Sequence, residues 1–226
     1  MIAIITAMAV ELENILSRLD QAQQVHRPGL FGYTGRLYGQ QVIAAVCGVG
    51  KVCAAQCAQL LISEYHPEVL FHSGIAGAVS PHLRHLDVVV ARELTYRDMS
   101  EETKRSFVPF GGCFVTDPKL TVFLRRAAPE SHLGCITTGD LFVHSQTEKE
   151  RLQRDYNALC AEMEGAAVAH VCAVNRVPFG VIRCISDLAN DDAHGDYENF
   201  ELLASRKSAD ILCEAVRLYS EKEGEK

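Results

Sequence analysis

Short apolar runs of strand length alternate along this chain with longer segments in which apolar residues recur at helical spacing. The first run covers residues 2–6, and helical spacing follows over residues 9–19. A later apolar run, residues 69–78, ends in a glycine turn. Regular alternation of strands and helices is typical of one sheet covered by helices on both faces. We therefore predict an α/β fold, a single domain over residues 1–226 with a central mixed, twisted β-sheet.

Turn residues and local periodicity predict the remaining segments. The polar residues 95–112 form the longest stretch without periodicity, so we predict a loop there that acts as a lid or an interface element. Asp117 fits an N-cap, and Pro118 fits the first turn of the helix that follows. The other predicted segments are a hairpin of residues 31–37 and 41–47, strands at 87–91 and 136–138, and helices at 52–65, 119–128, 147–155 and 197–221.

Composition and charge exclude several classes of partner. The 226 residues carry 22 basic and 29 acidic side chains, for a net charge of -7, and no basic run is longer than a pair. Nucleic acid and anionic membranes are therefore not expected as partners. The apolar start lacks a basic region, and no apolar run approaches the roughly 18 residues of a membrane span, so we expect neither a signal peptide nor a spanning helix. We predict a soluble cytoplasmic protein.

The nine cysteines stand as isolated residues in apolar surroundings, without a Cys-x-x-Cys pair. An odd count without regular spacing is typical of reduced core thiols in the cytosol. Cys53 and Cys57 share a predicted helix face, and His170 precedes Cys172 by two positions. Because neither pair has companion ligands at zinc-like spacing, we predict no metal site.

The end of the apolar run at residues 179–187 is the leading candidate for chemistry. Its apolar positions are those of a strand buried on both faces, and Arg183, Ser186 and Asp187 interrupt them. Ligands of open α/β sheets bind beyond the carboxyl ends of the strands. Asp187 is therefore a better catalytic candidate than a carboxylate on a helix face.

A second stretch, residues 158–172, repeats this plan. A short apolar strand leads to Glu162 and Glu164 on either side of Met163, and a glycine then opens an apolar helix. We interpret two acidic strand ends in one chain as parts of a functional site.

The first strand is also followed by a carboxylate. Glu11 lies in the first turn after that strand, although an acidic residue also stabilises a helix N-terminus, and spacing alone favours this simpler interpretation. The turn Gly48-Val-Gly-Lys51 resembles a phosphate cradle only weakly, because it lacks the spacing of the known glycine motifs. Close approach of the main chain to a ligand is an equal alternative, and plain strand-to-helix turning is favoured over both.

Six motifs occur in order and at suitable spacing: Thr6-Ala-Met-Ala-Val-Glu11, Cys47-Gly-Val-Gly-Lys51, Ser73-Gly-Ile-Ala-Gly77, Thr138-Gly-Asp-Leu-Phe-Val143, Glu162-Met-Glu164 and Arg183-Cys-Ile-Ser-Asp187. Together they resemble bacterial 5′-methylthioadenosine/S-adenosylhomocysteine nucleosidase, a member of the nucleoside phosphorylase superfamily. The resemblance covers essentially the whole chain. Each motif alone is modest, but six in register make the resemblance specific.

The resemblance implies hydrolysis of the N-glycosidic bond of 5′-substituted adenosines, namely methylthioadenosine, S-adenosylhomocysteine and 5′-deoxyadenosine, to adenine and a 5-substituted ribose. Asp187 matches the general acid that protonates the purine at N7, and Ser186 can orient its carboxyl. Glu11 matches the base that holds and deprotonates the attacking water. Arg183 matches the cation that positions this water and Glu11. No cofactor is implied.

The resemblance also implies contacts with the substrate. Glu164 matches the residue that binds the ribose hydroxyls, with Met163 packed against the sugar. Phe142 would stack on the purine, and main-chain groups of Val143 would contact its edge. The further expected binding residues are Met8, Val49, Ala76, Gly77, Pro109 and Tyr197.

The resemblance implies a homodimer as well. In this family, the segment that matches residues 95–112 reaches the 5′-substituent pocket of the neighbouring subunit. This segment is shorter and differently charged here, which leaves the 5′ preference open. We expect Phe107, Pro109 and Phe110 to approach the partner's Met8, the partner's Val49 and the partner's Tyr197.

Other functions on the same scaffold are alternatives. The phosphorylases of this superfamily resemble one another in arginines near the first strand's end and before the glycine turn, whereas this chain has Glu11 and His72 there, so water is the favoured nucleophile. A futalosine-type hydrolase would differ only in its 5′ group. A nucleoside-binding module is disfavoured because binding alone needs no acid opposite a base, and a thiol oxidoreductase because no Cys-x-x-Cys is present.

Ile75 replaces a small polar residue or valine, so we expect a hydrogen bond to Glu11 to be lost.

Overall fold

Ten β-strands alternate with seven α-helices over residues 1–224, the part of the chain that this computed structural model describes. The predicted single domain includes residues 225–226, which lie outside the described residues, and its extent stays a prediction. The strands are β1 (Ile2–Thr6), β2 (Asp20–Gln24), β3 (Phe31–Leu37), β4 (Gln40–Val46), β5 (Val69–Ala78), β6 (Val88–Tyr96), β7 (Cys113–Val115), β8 (His132–Thr138), β9 (Ala158–Glu162) and β10 (Phe179–Asp187). The helices are α1 (Ala9–Leu16), α2 (Lys51–Tyr65), α3 (Glu101–Phe107), α4 (Pro118–Ala127), α5 (Gln146–Tyr156), α6 (Gly165–Asn175) and α7 (Ala193–Gly224).

The strands form one mixed sheet that closes on itself at one end. Its order is β10-β6-β8-β9-β5-β1-β4-β3-β2, with β7 paired to β6 outside this order, and β10 also pairs with β5. The first five strands of this order therefore form a ring, and the rest extend from it as an open arm. β10 is parallel to β5 and antiparallel to β6. The mixed sheet confirms the predicted α/β class.

Apolar residues fill both faces of the sheet. Neighbouring residues along a strand belong to different buried clusters: Ile5, Leu70 and Val181 to one, and Ile4, Phe71 and Ile182 to the other. This follows from the two-residue period of a strand. α7 packs on β10 and β5, whereas α2 and α6 pack against each other. Every residue of β10 is buried, so the prediction of a covered central strand is confirmed.

The prediction of a loop over residues 95–112 was wrong for most of that range. β6 continues to Tyr96 because it pairs with β8, and α3 follows. The Ser100 side chain caps α3 by accepting from the Thr103 N–H at 3.1 Å. Lys104 ties the helix to the sheet, because its Nζ donates to the Tyr96 carbonyl at 3.0 Å. A 3₁₀ segment, Pro109–Gly112, completes the range.

Other observed boundaries of helices and strands differ from the predicted ones where the sequence is polar. β2 was not predicted, because all five of its residues are exposed and polar or small. β7 was also missed, and α7 begins at Ala193 rather than at residue 197. The predicted start of α4 is confirmed, since Asp117 Oδ1 accepts from the Lys119 N–H at 2.8 Å. No helix within residues 1–224 is both long enough and apolar enough to span a bilayer.

Candidate active site

A cavity of about 230 Å³ opens where β1, β5, β9 and β10 end. Strand ends are the usual place for ligands in an α/β sheet. Four of the residues that line it are carboxylates from three different segments of the chain. The lining residues are Ala7, Met8, Glu11, Val49, Ile75, Ala76, Gly77, Phe142, Ala161, Glu162, Met163, Glu164, Ser186, Asp187, His194 and Tyr197.

Glu11 is buried, and main-chain groups hold both of its carboxylate oxygens. Oε2 accepts from the N–H groups of Ala7 at 2.8 Å and Met8 at 3.0 Å, and Oε1 accepts from the Ile75 N–H at 3.2 Å. Burial raises the pKa of Glu11 more than these hydrogen bonds and Arg183 lower it. The carboxylate is the third residue of α1 and folds back on the helix start, as the glutamate of a capping box does. The helix-start role and a place in the cavity are therefore compatible.

Ile75 does not deprive Glu11 of a hydrogen bond. We expected the apolar side chain to leave a contact unmade, but the donor at this position is the main-chain N–H. Any residue other than proline supplies that donor. The main-chain hydrogen bond is therefore kept, and the loss of a further bond from a side chain at this position stays a prediction.

Asp187 is buried at the end of β10, and two groups orient its carboxyl. The Ser186 hydroxyl donates to Oδ2 at 2.9 Å, and the Ala189 N–H donates to Oδ1 at 3.0 Å. Burial raises the pKa of Asp187 above its ordinary value, although both hydrogen bonds lower it. β5 passes so close that a Cβ on Gly77 would lie 2.5 Å from Oδ1. A side chain there would collide with the carboxyl.

Glu164 precedes α6 and joins the glycine turn to the cavity. Its Oε1 accepts from the Gly50 N–H at 2.7 Å. Burial and the negative charge of Glu162 raise the pKa of Glu164. The turn at Gly50 thus serves as a main-chain donor to a cavity carboxylate, and its close approach to a ligand stays a prediction.

Glu162 belongs to one of the two acidic strand ends predicted from the sequence, but no role in the site was assigned to it. It lines the cavity and accepts from Arg183 Nη2 at 2.6 Å. The N–H groups of Glu164 at 3.1 Å and Gly165 at 2.7 Å also donate to Glu162, as does the Thr138 hydroxyl. The signal that could have found it is the pair of carboxylates around one methionine. Glu162 and Glu164 differ in their partners. Glu162 pairs with the buried cation Arg183, whereas Glu164 accepts from the Gly50 N–H.

Arg183 is not among the residues that line the cavity, and its expected contact with the attacking water stays a prediction. Besides its pair with Glu162, its Nη2 lies 3.0 Å from His72 Nε2. It stands behind Gly74, whose Cβ position is 2.9 Å from Glu11 Oε1 and 3.5 Å from Arg183 Cζ. The positive charge of Arg183 lowers the pKa of Glu11.

Aromatic residues close another side of the cavity. The Phe142 ring lies 4.8 Å from the His194 ring and meets the Tyr197 ring edge-on at 6.0 Å between centroids. Val143 is buried and lines a smaller adjoining cavity of about 20 Å³, which Asp187 and Phe142 also border. His194 was missed because nothing in its local sequence distinguishes it from a surface residue.

The remaining predicted binding residues divide into two groups. Met8, Val49, Ala76 and Tyr197 line the main cavity, and the Tyr197 hydroxyl donates to Glu201 Oε1 at 2.9 Å. Pro109 lies outside this lining and was expected to serve the neighbouring subunit, so its role stays a prediction. Within residues 1–224, no group of three or more histidine, cysteine and acidic residues could hold a metal ion.

The sequence profile of the Phosphorylase superfamily matches residues 1–217 of the chain. The chain belongs to the phosphorylase superfamily. Within this superfamily the fold is shared with solved structures along nearly the whole chain, as three examples show.

The 5′-methylthioadenosine/S-adenosylhomocysteine nucleosidase from Neisseria meningitidis, in complex with methylthio-immucillin-A, is 29% identical with a TM-score of 0.91, covering 96% of this chain and 98% of that chain. The S-adenosylhomocysteine nucleosidase from Streptococcus pyogenes, in complex with 5-methylthiotubericidin, is 32% identical with a TM-score of 0.90, covering 96% and 95%. The futalosine hydrolase of Helicobacter pylori is 30% identical with a TM-score of 0.88, covering 95% and 96%. The predicted resemblance to these nucleosidases of the phosphorylase superfamily is confirmed.

Proposed function

We propose that this chain hydrolyses the N-glycosidic bond of 5′-substituted adenosines and releases adenine and a 5-substituted ribose. The observation that carries the proposal is that two buried carboxylates with raised pKa values, Glu11 and Asp187, line one cavity. A hydrolase of this bond needs an acid for the leaving base and a base for the attacking water. Relatives that are nucleosidases by name support the choice of substrate class.

The two carboxylates contact β5 at nearby positions. Glu11 accepts from the Ile75 N–H, and Asp187 lies against Gly77. Residues two apart along a strand are separated by roughly 6.6 Å. The two contacts along β5 therefore suit an acid at the leaving purine and a water held by Glu11 on the opposite face of the sugar.

Asp187 is assigned the role of general acid. An ordinary aspartate is ionised at neutral pH, but burial favours the protonated form. The proton passes to N7 of the purine as the glycosidic bond breaks, so adenine leaves as a neutral base. Ser186 and the Ala189 N–H hold the resulting carboxylate by the hydrogen bonds already described.

Glu11 is assigned the role of general base. As the bond breaks, positive charge develops on the ribose, and the carboxylate of Glu11 stabilises it. Glu11 accepts a proton from the water, whose oxygen bonds to the anomeric carbon. Glu164 binds the ribose hydroxyls and Met163 packs against the sugar. Arg183 acts through its charge, which lowers the pKa of Glu11.

The purine lies between the aromatic wall and the sheet. Phe142 stacks on its face, main-chain groups of Val143 contact its edge, and Ala76 and Gly77 supply the flat strand surface on which it rests. Met8, Val49 and Tyr197 are left for the 5′ substituent. These steps use only water and the side-chain and main-chain groups of this chain.

Water rather than phosphate is the proposed nucleophile. Among the described residues that line the main cavity are four carboxylates and neither lysine nor arginine. The buried Arg183 is already paired with Glu162 at 2.6 Å. A phosphate dianion would meet carboxylates without a free cation to bind it, which disfavours phosphorolysis.

The test is release of free base from a panel of nucleosides, with and without phosphate. We expect adenine from methylthioadenosine, S-adenosylhomocysteine and 5′-deoxyadenosine at a rate that phosphate does not raise. A strict need for phosphate would contradict hydrolysis. Faster turnover of a futalosine-type nucleoside would favour the alternative that the Helicobacter pylori futalosine hydrolase suggests. Tight binding without base release would establish a binding module.

A cytoplasmic homodimer is part of the proposal. Phe107 and Phe110 are 82% and 63% exposed on the segment expected to reach the neighbouring cavity, and Val52 on α2 is 80% exposed. Exposed apolar residues in such numbers suit a surface that a second subunit covers. Light scattering should give twice the chain mass, and full activity at the monomer mass would remove the shared site.

A further inference from the structure

Arg97 follows β6 and is buried against the loop that borders the proposed purine position. Its Nη2 donates to the carbonyl oxygen of Gly139 at 3.1 Å and to the carbonyl oxygen of Leu141. Both carbonyls belong to residues 139–143, here called the purine loop, which follows β8 and carries the ring and main chain assigned to the base. One guanidinium therefore joins the end of β6 to two points of this loop.

Room for this contact exists because residue 139 is a glycine. A Cβ on Gly139 would lie 3.0 Å from Arg97 Cγ and 3.0 Å from Arg97 Cζ. These distances are shorter than ordinary van der Waals contact. The guanidinium thus lies directly on the main chain of the loop.

Arg97 is also fixed from α5. Its Nη1 lies 3.9 Å from Glu148 Oε1, and Arg151 donates to both oxygens of Glu148 at 2.8 Å. Arg151 further donates to the Arg97 carbonyl at 3.3 Å. Two arginines and one glutamate therefore hold the purine loop between β6 and α5.

One hydrogen-bond donor of the buried Arg97 side chain, Nε, differs from the others in its partners. Within residues 1–224, Arg97 Nε is buried without a hydrogen-bond partner, and the side chain lines the small cavity that Val143 and Asp187 also border. Unmatched buried donors are uncommon, and a bound water or ligand is the usual explanation. A cavity of about 20 Å³ is large enough for one water.

We propose that Arg97 is a positioning residue that fixes the purine loop and so determines affinity for the base. The inference rests on the proposed function. Both carbonyls accept from one guanidinium nitrogen, Nη2, whose two hydrogens are fixed in a rigid plane, whereas a lysine ammonium carries its donors on a flexible stem and fixes no such plane. Loosening this contact should release the loop and weaken base binding while leaving the acid and the base of the reaction in place.

The test compares Arg97→Lys with the wild type and with Arg92→Lys, a control on β6 whose side chain is 61% exposed. We expect Arg97→Lys to weaken binding of free adenine and to raise KM, each by about tenfold, with kcat changed by less than about threefold. Amide hydrogen exchange in residues 139–145 should become faster. Arg92→Lys should match the wild type in all three measurements.

A merely structural role would lower the melting temperature without moving KM or adenine affinity of the folded enzyme, and that result would overturn the proposal. So would unchanged exchange in residues 139–145. If Arg97→Lys does not fold, Gly139→Ala crowds the same contact from the loop side and should give the same pattern. Absence of base release by the wild type would refute the proposed function alone, because the hydrogen-exchange comparison still tests the contact between Arg97 and the purine loop.

Discussion

A Cβ atom on Gly77 would lie 2.5 Å from Asp187 Oδ1 and 3.2 Å from the Ala189 Cβ. The carboxyl at the end of β10 therefore rests directly on the main chain of β5. The two strands are hydrogen-bonded neighbours, with Asp187 opposite Gly77 in their register. The position of the proposed acid thus depends on the absence of a side chain on the adjoining strand.

Gly77→Ala should move the acid without removing it. The new methyl group cannot coexist with Oδ1 at 2.5 Å, so the carboxyl must turn or shift. A displacement of about 1 Å in a reacting group can cost on the order of 100-fold in rate, and we expect kcat/KM to fall by about that factor. Gly195→Ala, where nothing lies within 4 Å of the added Cβ, is the matched control. Equal steady-state kinetics for the two variants would show that the close packing does not position Asp187.

Asp187→Asn should abolish proton donation but keep the shape of the side chain. We expect kcat to fall by about 100- to 10,000-fold, with substrate affinity largely retained. Turnover should be followed as adenine released and affinity by calorimetry. Asp191→Asn, an exposed residue after β10, should leave both unchanged. Turnover near the wild-type level in Asp187→Asn would rule out its assigned role.

Ser186→Ala should shift the alkaline limb of the pH–rate profile. The hydroxyl donates to the carboxyl of Asp187 at 2.9 Å and lowers its pKa, so its removal raises that pKa further above the ordinary value of 3.8. An acid stays protonated below its pKa, and the rate falls as pH rises through it. The descending limb of kcat should therefore move to higher pH in Ser186→Ala. Ser17→Ala, with an exposed hydroxyl, is the control, and a shift to lower pH would contradict the assignment.

Glu162→Gln should destabilise the fold through Arg183. Both side chains are at most 2% exposed, and the pair is the closest charged contact of each. Removing one partner of a buried ion pair leaves the other charge uncompensated, which costs about 3–5 kcal/mol in the free energy of unfolding. Urea denaturation would measure this loss. Glu64→Gln, which breaks a surface pair with Arg27, should cost far less, and similar losses in both variants would show that Arg183 finds another partner.

The sequence predicted the elements that end in carboxylates better than it predicted how those elements meet. Long apolar runs identify β5 and β10, because most residues of a strand that is covered on both faces are apolar. Nothing local indicates that β10 pairs with both β5 and β6 and closes a ring, since such pairing depends on residues about 100 positions apart.

The same limit applies within the site. The six motifs place Glu11, Glu164 and Asp187 on the cavity, but the Glu162 contact with Arg183 joins two motifs and is visible only once the fold brings them together. Arg97 lay inside a range interpreted as a loop, where a polar residue is expected to be exposed and to have no structural role. Its burial comes from β6 continuing to Tyr96, which long-range pairing with β8 decides.

Glu11→Gln should separate the two roles of this residue. The amide oxygen can still accept from the Ala7 and Met8 N–H groups at the start of α1, so the helix should persist. The amide nitrogen, however, cannot accept from the Ile75 N–H or deprotonate a water. We expect the free energy of unfolding to change little and kcat/KM to fall by about 100- to 10,000-fold, with adenine binding retained. Glu13→Gln, on the same helix, controls for loss of a charge there. Normal turnover in Glu11→Gln would mean that the carboxylate only caps the helix, and the water would need a different base.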